Sequence, residues 1–125
     1  MLSQSVLNQM AATVMDMYGS TVESVVYLTR TSASVAPVSH GPINGHFEVY
    51  NDRVIAAAAL LSSDENRVLR EDRQFRVPVS AITWDVGLFD EVIRADGSHW
   101  RIRDTAQGPG YPVWLLRCRR LPSRQ

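Results

Sequence analysis

The stretch Asp90-Glu91-Val92-Ile93-Arg94-Ala95-Asp96-Gly97-Ser98-His99-Trp100-Arg101-Ile102-Arg103 decides how the chain folds. Two β-rich runs flank Asp96-Gly97. An Asp-Gly pair in that setting is a strong hairpin signal, because a type I′ turn needs φ > 0 at both central residues. The second run alternates: Trp100 and Ile102 point one way, Arg101 and Arg103 the other. That is the period of a strand with one face buried.

Outward from this hairpin the chain offers more strands and few helices. Downstream, 106–112 contains Gly108-Pro109-Gly110 and reads as a loop, followed by a last strand over 113–120. In that strand Trp114, Leu116 and Cys118 oppose Val113, Leu115, Arg117 and Arg119. Residues 121–125 read as a flexible tail. Upstream, 74–79 alternates Phe75, Val77 and Val79 with Gln74, Arg76 and Pro78, and pairs in expectation with 67–69 across a turn at Glu71-Asp72. Pro78 cannot donate a ladder hydrogen bond, so this strand should end at an edge or a bulge. A single turn is expected over 81–84.

Residues 3–18 read as a helix, with Val6, Leu7, Met10, Ala11, Val14, Met15 and Tyr18 recurring at three- and four-residue spacing. Ser3 or Ser5 is placed to cap it, and Gly19 to stop it. Residues 21–29, rich in Val22, Val25, Val26, Tyr27 and Leu28, form the first strand. The polar stretch 30–42 reads as a long loop, and 43–50 as the second strand. Residues 52–61 are read as a short second helix capped by Asp52, since Ala is the best helix former; an extended run across the barrel is the alternative. One N-terminal helix, about six short strands and no βα alternation give a mainly β fold. The expected architecture is a small antiparallel β-barrel or sandwich, in one domain over 1–125 with the barrel spanning 21–120.

Composition narrows the function classes. A chain of 125 residues that is 45% hydrophobic has room for one modest core. The formal net charge is zero, so bulk attraction to nucleic acid or membrane is not expected. All 13 basic residues are Arg, a side chain suited to planar, two-bonded pairing with carboxylates. The single cysteine, Cys118, excludes an internal disulfide and reads as a small buried apolar residue. No apolar run is long enough to span a membrane and no secretion signal opens the chain, so a cytoplasmic origin is the expectation.

No phosphate-binding glycine loop, dinucleotide fingerprint or nucleophile elbow is present. His40, His46 and His99 do not pair with one another at i, i+4, and the sequence gives no positive sign of a metal site, although one assembled from them with Asp52, Asp90 or Asp96 stays open. The pairs Asp64-Glu65, Glu71-Asp72 and Asp90-Glu91 read as solvated turn charges rather than as catalytic acids. The expectation is therefore a protein without enzymatic activity, cofactor or metal. Its arginines cluster at 67–76 and 101–124, where three uses compete: a solvated face, intersubunit ion pairs, or phosphate contacts in a small nucleic-acid-binding barrel.

Three stretches carry a resemblance. Arg67-Val68-Leu69-Arg70-Glu71-Asp72-Arg73-Gln74-Phe75-Arg76-Val77-Pro78, the opening hairpin through Ile102, and Trp114-Leu115-Leu116-Arg117-Cys118-Arg119-Arg120 together resemble the head–tail joining proteins of long-tailed bacteriophages. These are also called head-closure, stopper or neck proteins. Members commonly show an apolar run ending near Pro, an Asp-Gly hairpin and a closing strand ending in Arg. The chain departs from the pattern in having Phe89 rather than Gly before Asp90, with Gly87 upstream, and Trp100 in place of Tyr or Phe.

The resemblance implies a β-barrel that forms a hexameric ring in the virion neck, joining the DNA-filled head to the tail and closing the portal channel. It implies a portal or adaptor protein on the head side and a tail terminator or tail tube protein on the tail side. Packaged DNA would pass through or abut the ring. A tail terminator or a portal adaptor is the neighbouring alternative. Expected interface residues are Arg67, Arg70, Glu71, Asp72, Arg73, Arg101, Arg103, Arg117, Arg119 and Arg120, together with the 30–45 and 51–72 segments. Expected core residues are Phe75, Val77, Val92, Trp100, Ile102, Trp114 and Leu116.

Overall fold

The computed structural model describes residues 3–16, 21–32, 34–61 and 68–122. Its elements run α1 (Gln4–Asp16), β1 (Glu23–Thr29), β2 (Val38–Val49), α2 (Asp52–Leu61), β3 (Arg73–Pro78), β4 (Glu91–Ile93), β5 (His99–Gln107) and β6 (Val113–Arg120). The strands close into an antiparallel barrel in the order β1-β2-β3-β6-β5-β4, with β4 pairing back onto β1. The expected mainly β barrel with an N-terminal helix and a short second helix is the fold.

Strand alternation fills the barrel. Val25 and Tyr27 of β1, Ile43 and Phe47 of β2, Phe75 and Val77 of β3, Val92 of β4, Trp100 and Ile102 of β5, and Leu116 and Cys118 of β6 make one buried cluster. Phe47 and Phe75 stack with ring centres 4.4 Å apart. Of the expected core residues, only Trp114 is not enclosed: it is half-buried and packs against the cluster. Its ring lies over Gly108, where a Cβ would come within 2.5 Å of it.

The opening hairpin forms, with a different turn. Among the described residues no non-glycine residue has positive φ, and within this turn it is Gly97 that takes the left-handed conformation, at +85°. Gly97 N donates to Arg94 O and Arg94 N to Ser98 O, each at 2.9 Å, so the loop has three residues with Gly97 as its bulge. Asp96 contributes a side chain instead of a strained backbone. Its Oδ1 accepts from Ser98 N at 2.9 Å, and Ser98 Oγ in turn accepts from Trp100 Nε1 at 2.8 Å.

Other boundaries also move. Strand β2 starts at Val38, so the long loop is 30–37 rather than 30–42. Its early residues pair with β1, backbone satisfaction overriding a polar composition. Among the described residues the expected hairpin between 67–69 and 74–79 does not form: β3 pairs with β2 and β6, while Leu69 and Asp72 close a tight turn through Asp72 N and Leu69 O. Arg67 lies outside the described residues. Val79 leaves the strand for a helical turn over Val79–Ala81, two residues before the turn expected at 81–84. Pro78 does stand at an edge, since β2 accompanies β3 only as far as Arg76. Ser3 caps α1 through Val6 N, and α1 packs on β3 and the helical turn, burying Leu7 and Ala11. Helix α2 is capped by Asn51, whose Oδ1 accepts from Val54 N at 2.9 Å, and not by Asp52.

Candidate subunit interface

The antiparallel order sorts the connections between two ends. Loops 30–37, 79–90 and 108–112 lie at one end, called the loop end; α2 with 68–72 and the 94–98 turn lie at the other, called the helix end.

Two buried carboxylates organise these ends, each directly ahead of a strand. At the helix end Asp72 is fully buried. Its Oδ1 accepts from Arg119 Nε at 2.7 Å, and its Oδ2 from Arg119 at 3.0 Å, Arg117 at 3.1 Å and Leu69 N at 3.0 Å. Burial alone would raise this carboxyl, but the hydrogen bonds from Arg119, Leu69 N and Arg117 outweigh it and hold the acid below its ordinary value. Asp72 raises the Arg119 guanidinium in return.

At the loop end Asp90 is buried against Tyr27. Asp90 Oδ2 accepts from Tyr27 Oη at 2.6 Å and Gly87 N at 2.8 Å, and Oδ1 from Arg30 N at 3.2 Å. Burial first, then the Asp90 hydrogen bond, push the Tyr27 hydroxyl far above its ordinary range. Next to it Glu91, also buried, pairs with Arg30 at 2.9 Å. The expectation of solvated turn charges fails at Asp72, Asp90 and Glu91. An acid placed just before a strand can turn inward to satisfy backbone N–H groups, and arginines from distant strands then reach it.

The expected interface arginines therefore divide. Arg117 is buried on Asp72, and Arg119 is committed to the same carboxylate. Asp72 and Arg117 belong to the interior of the chain and are not surface groups. Arg73 bonds the carbonyls of Arg70 and Asp72 and lies 6.0 Å from the Trp100 ring. Arg70 pairs with Asp52 at 2.9 Å in the open, where an ion pair contributes little. Glu71 and Arg120 are exposed, and Arg101 and Arg103 are half-buried on the outer wall.

Arg94 was not among the expected site residues. It grips Glu23 through Nε at 3.1 Å and a second nitrogen at 2.6 Å while lying 4.2 Å from the Phe47 ring centre, so it plugs the helix end of the core. Its place at the start of a hairpin turn, next to aromatic core residues, was the signal available in the sequence.

Exposed apolar side chains mark both ends. Val35, Val38, Leu88, Phe89 and Tyr111 stand at the loop end, and Val49 and Val54 at the helix end. Val6 and Met10 are exposed on α1. The histidines are dispersed: His40 stacks on Trp84 at 4.0 Å, His46 faces Thr21 and Glu48, and His99 is exposed at the start of β5. Cys118 is buried, and burial pushes its thiol well above the ordinary range, which makes it unreactive. No helix among the described residues is long and apolar enough to cross a membrane. No family model and no curated protein matches the chain.

Proposed function

We propose that this protein is a structural component of the bacteriophage neck: a head-closure subunit that assembles into a hexameric ring and joins the DNA-filled head to the tail. The observation that carries the reading is the pair of unlike apolar ends on one closed barrel. Val35, Val38, Leu88, Phe89 and Tyr111 crown the loop end, and Val49 and Val54 the helix end. Exposed apolar groups concentrated at particular places are the mark of association surfaces. A subunit that joins two different structures needs two different faces, and a closed ring needs heterologous contacts between neighbours.

The filled barrel supports the same reading. Its interior is occupied by side chains from all six strands, and its buried acids are spent on hydrogen bonds and ion pairs within the chain. The protein acts by shape and association, and it performs no chemistry. The outer wall, with exposed Arg120 and half-buried Arg101 and Arg103 beside exposed Asp104, sets both signs of charge side by side, which suits register and partner choice in an assembly.

The test is removal. Phage particles made without this protein should accumulate as heads lacking tails, seen directly by electron microscopy. Normal tailed, infectious particles in its absence would overturn the proposal.

A further inference from the structure

A cleft of about 340 Å³ opens where the 94–98 turn, the start of β5 and the chain leaving β6 meet. Arg30, Glu91, Ser98, His99, Arg120 and Leu121 line it, with Pro122 at its margin. The backbone around it is fixed, because Leu121 N donates to His99 O at 2.8 Å and extends the ladder past the end of β6.

Its charges are unbalanced. Glu91 is held by Arg30 on one wall, and Arg120 is exposed on the other. Arg101 adjoins the cleft, paired in register with Glu91 on one side and Arg119 on the other. Arg101 Nε is buried with no hydrogen-bond partner among the described residues. Asp96, at the turn, feels Arg120 but is occupied by Ser98. On the lining itself the Arg30–Glu91 pair is balanced and Arg120 adds one unmatched positive charge, with Arg101 next to Glu91 in register, in a chain whose formal net charge is zero.

We propose that this cleft is a docking site for an acidic, extended segment of a partner protein. Carboxylate side chains of that segment would bond Arg120 and Arg101, and its apolar groups would lie on Leu121 and Pro122. Arg is the side chain best shaped for such two-bonded carboxylate contacts. The composition of the cleft favours a peptide over nucleic acid. Arg120 and Arg101 are separate point contacts on either side of the paired Glu91, which suits spaced carboxylates better than a continuous phosphate backbone. Trp100 is turned into the core, and exposed His99 is a single ring on the lining, where a run of stacked bases needs several. The proposal does not depend on ring formation and is tested on whatever state the purified protein adopts.

The experiment is fluorescence anisotropy of the full chain at low salt with three labelled probes: a short peptide alternating Glu and Ala, its Lys counterpart, and an oligo-dT strand of matched length. The acidic peptide should bind and weaken as salt rises. Arg120→Glu and Arg101→Glu should each weaken it by about tenfold, the scale of one charge-assisted contact. Arg53→Glu, on exposed α2, should bind as the unaltered protein does. Circular dichroism of each variant establishes that it is folded. Absence of acidic-peptide binding, tighter binding of oligo-dT, or unchanged binding by folded Arg120→Glu would overturn the proposal.

Discussion

Tyr27 donates a 2.6 Å hydrogen bond to Asp90 across 63 positions of sequence, and the two residues belong to the elements that close the barrel. Strand β1 contributes Tyr27, and Asp90 leads directly into β4, which pairs with β1 over only three residues. So short a ladder leaves closure dependent on side chains, and this buried bond supplies part of it.

Replacing Tyr27 with Phe keeps the ring and removes that donor. The expected loss is about 1–3 kcal/mol, the cost of leaving a buried acceptor short of a partner. Chemical denaturation checks it, and the loss should appear with an unchanged denaturant slope.

Asp72→Asn should be more damaging, because it strands Arg117 and Arg119 around a neutral group. Breaking a buried ion pair from one side costs about 3–5 kcal/mol. Thermal unfolding should show a drop in Tm on the order of 10 °C or more. Arg70→Ala, which removes only the exposed pair with Asp52, should change Tm little.

The same carboxylate sets a pH dependence. Asp72 is held below its ordinary value of 3.8, so the folded state binds fewer protons than the unfolded state in acid. Its contribution is complete above that value and is lost as pH falls through the lowered folded-state value. Denaturation midpoints should therefore fall steeply below about pH 4. In Asp72→Asn this acid sensitivity should be reduced. Tyr27 acts at the other extreme: its hydroxyl is raised, so its contribution declines as pH rises above the ordinary tyrosine value of 10.0.

Gly45 stands on β2 with Phe75 across from it. A Cβ there would run into the Phe75 ring and come within 2.9 Å of Arg76 O. Gly45→Ala should destabilise by about 1–3 kcal/mol, the scale of overpacking in a filled core. Gly97→Ala, with open space around it but a φ of +85°, should cost less, about 1 kcal/mol, and should act through turn strain alone.

Much of this fold is legible in residue order. Alternation in β5 and β6, the stop at Pro78 and the Ala-rich α2 depend on periodicity and propensity, which are local. The turn at Asp96-Gly97 is half legible: Gly97 takes the positive φ, but Asp96 is used as a side-chain acceptor, a choice that depends on Ser98 and Trp100. The buried acids are not legible. Asp72 and Asp90 look like ordinary turn charges, and the groups that draw them inward, Arg117, Arg119 and Tyr27, lie 45 to 63 positions away. Strand pairing fares likewise. The local hairpin expected at Glu71-Asp72 gives way to long-range pairing of β3 with β6, because only that arrangement buries Phe75 and Val77 against Leu116. Part of the expected arginine surface, Arg117 above all, is thereby interior structure. The exposed remainder, Arg120 with half-buried Arg101 and Arg103, carries the candidate contacts.

The central claim, a neck ring built from this barrel, is tested most directly by locating and counting the protein in purified virions. Antibody labelling with electron microscopy, combined with quantitative mass spectrometry, gives both. The account predicts label confined to the head–tail junction, at a copy number matching one hexameric ring per particle. Absence of the protein from intact virions, or its distribution over the capsid or along the tail, would contradict it.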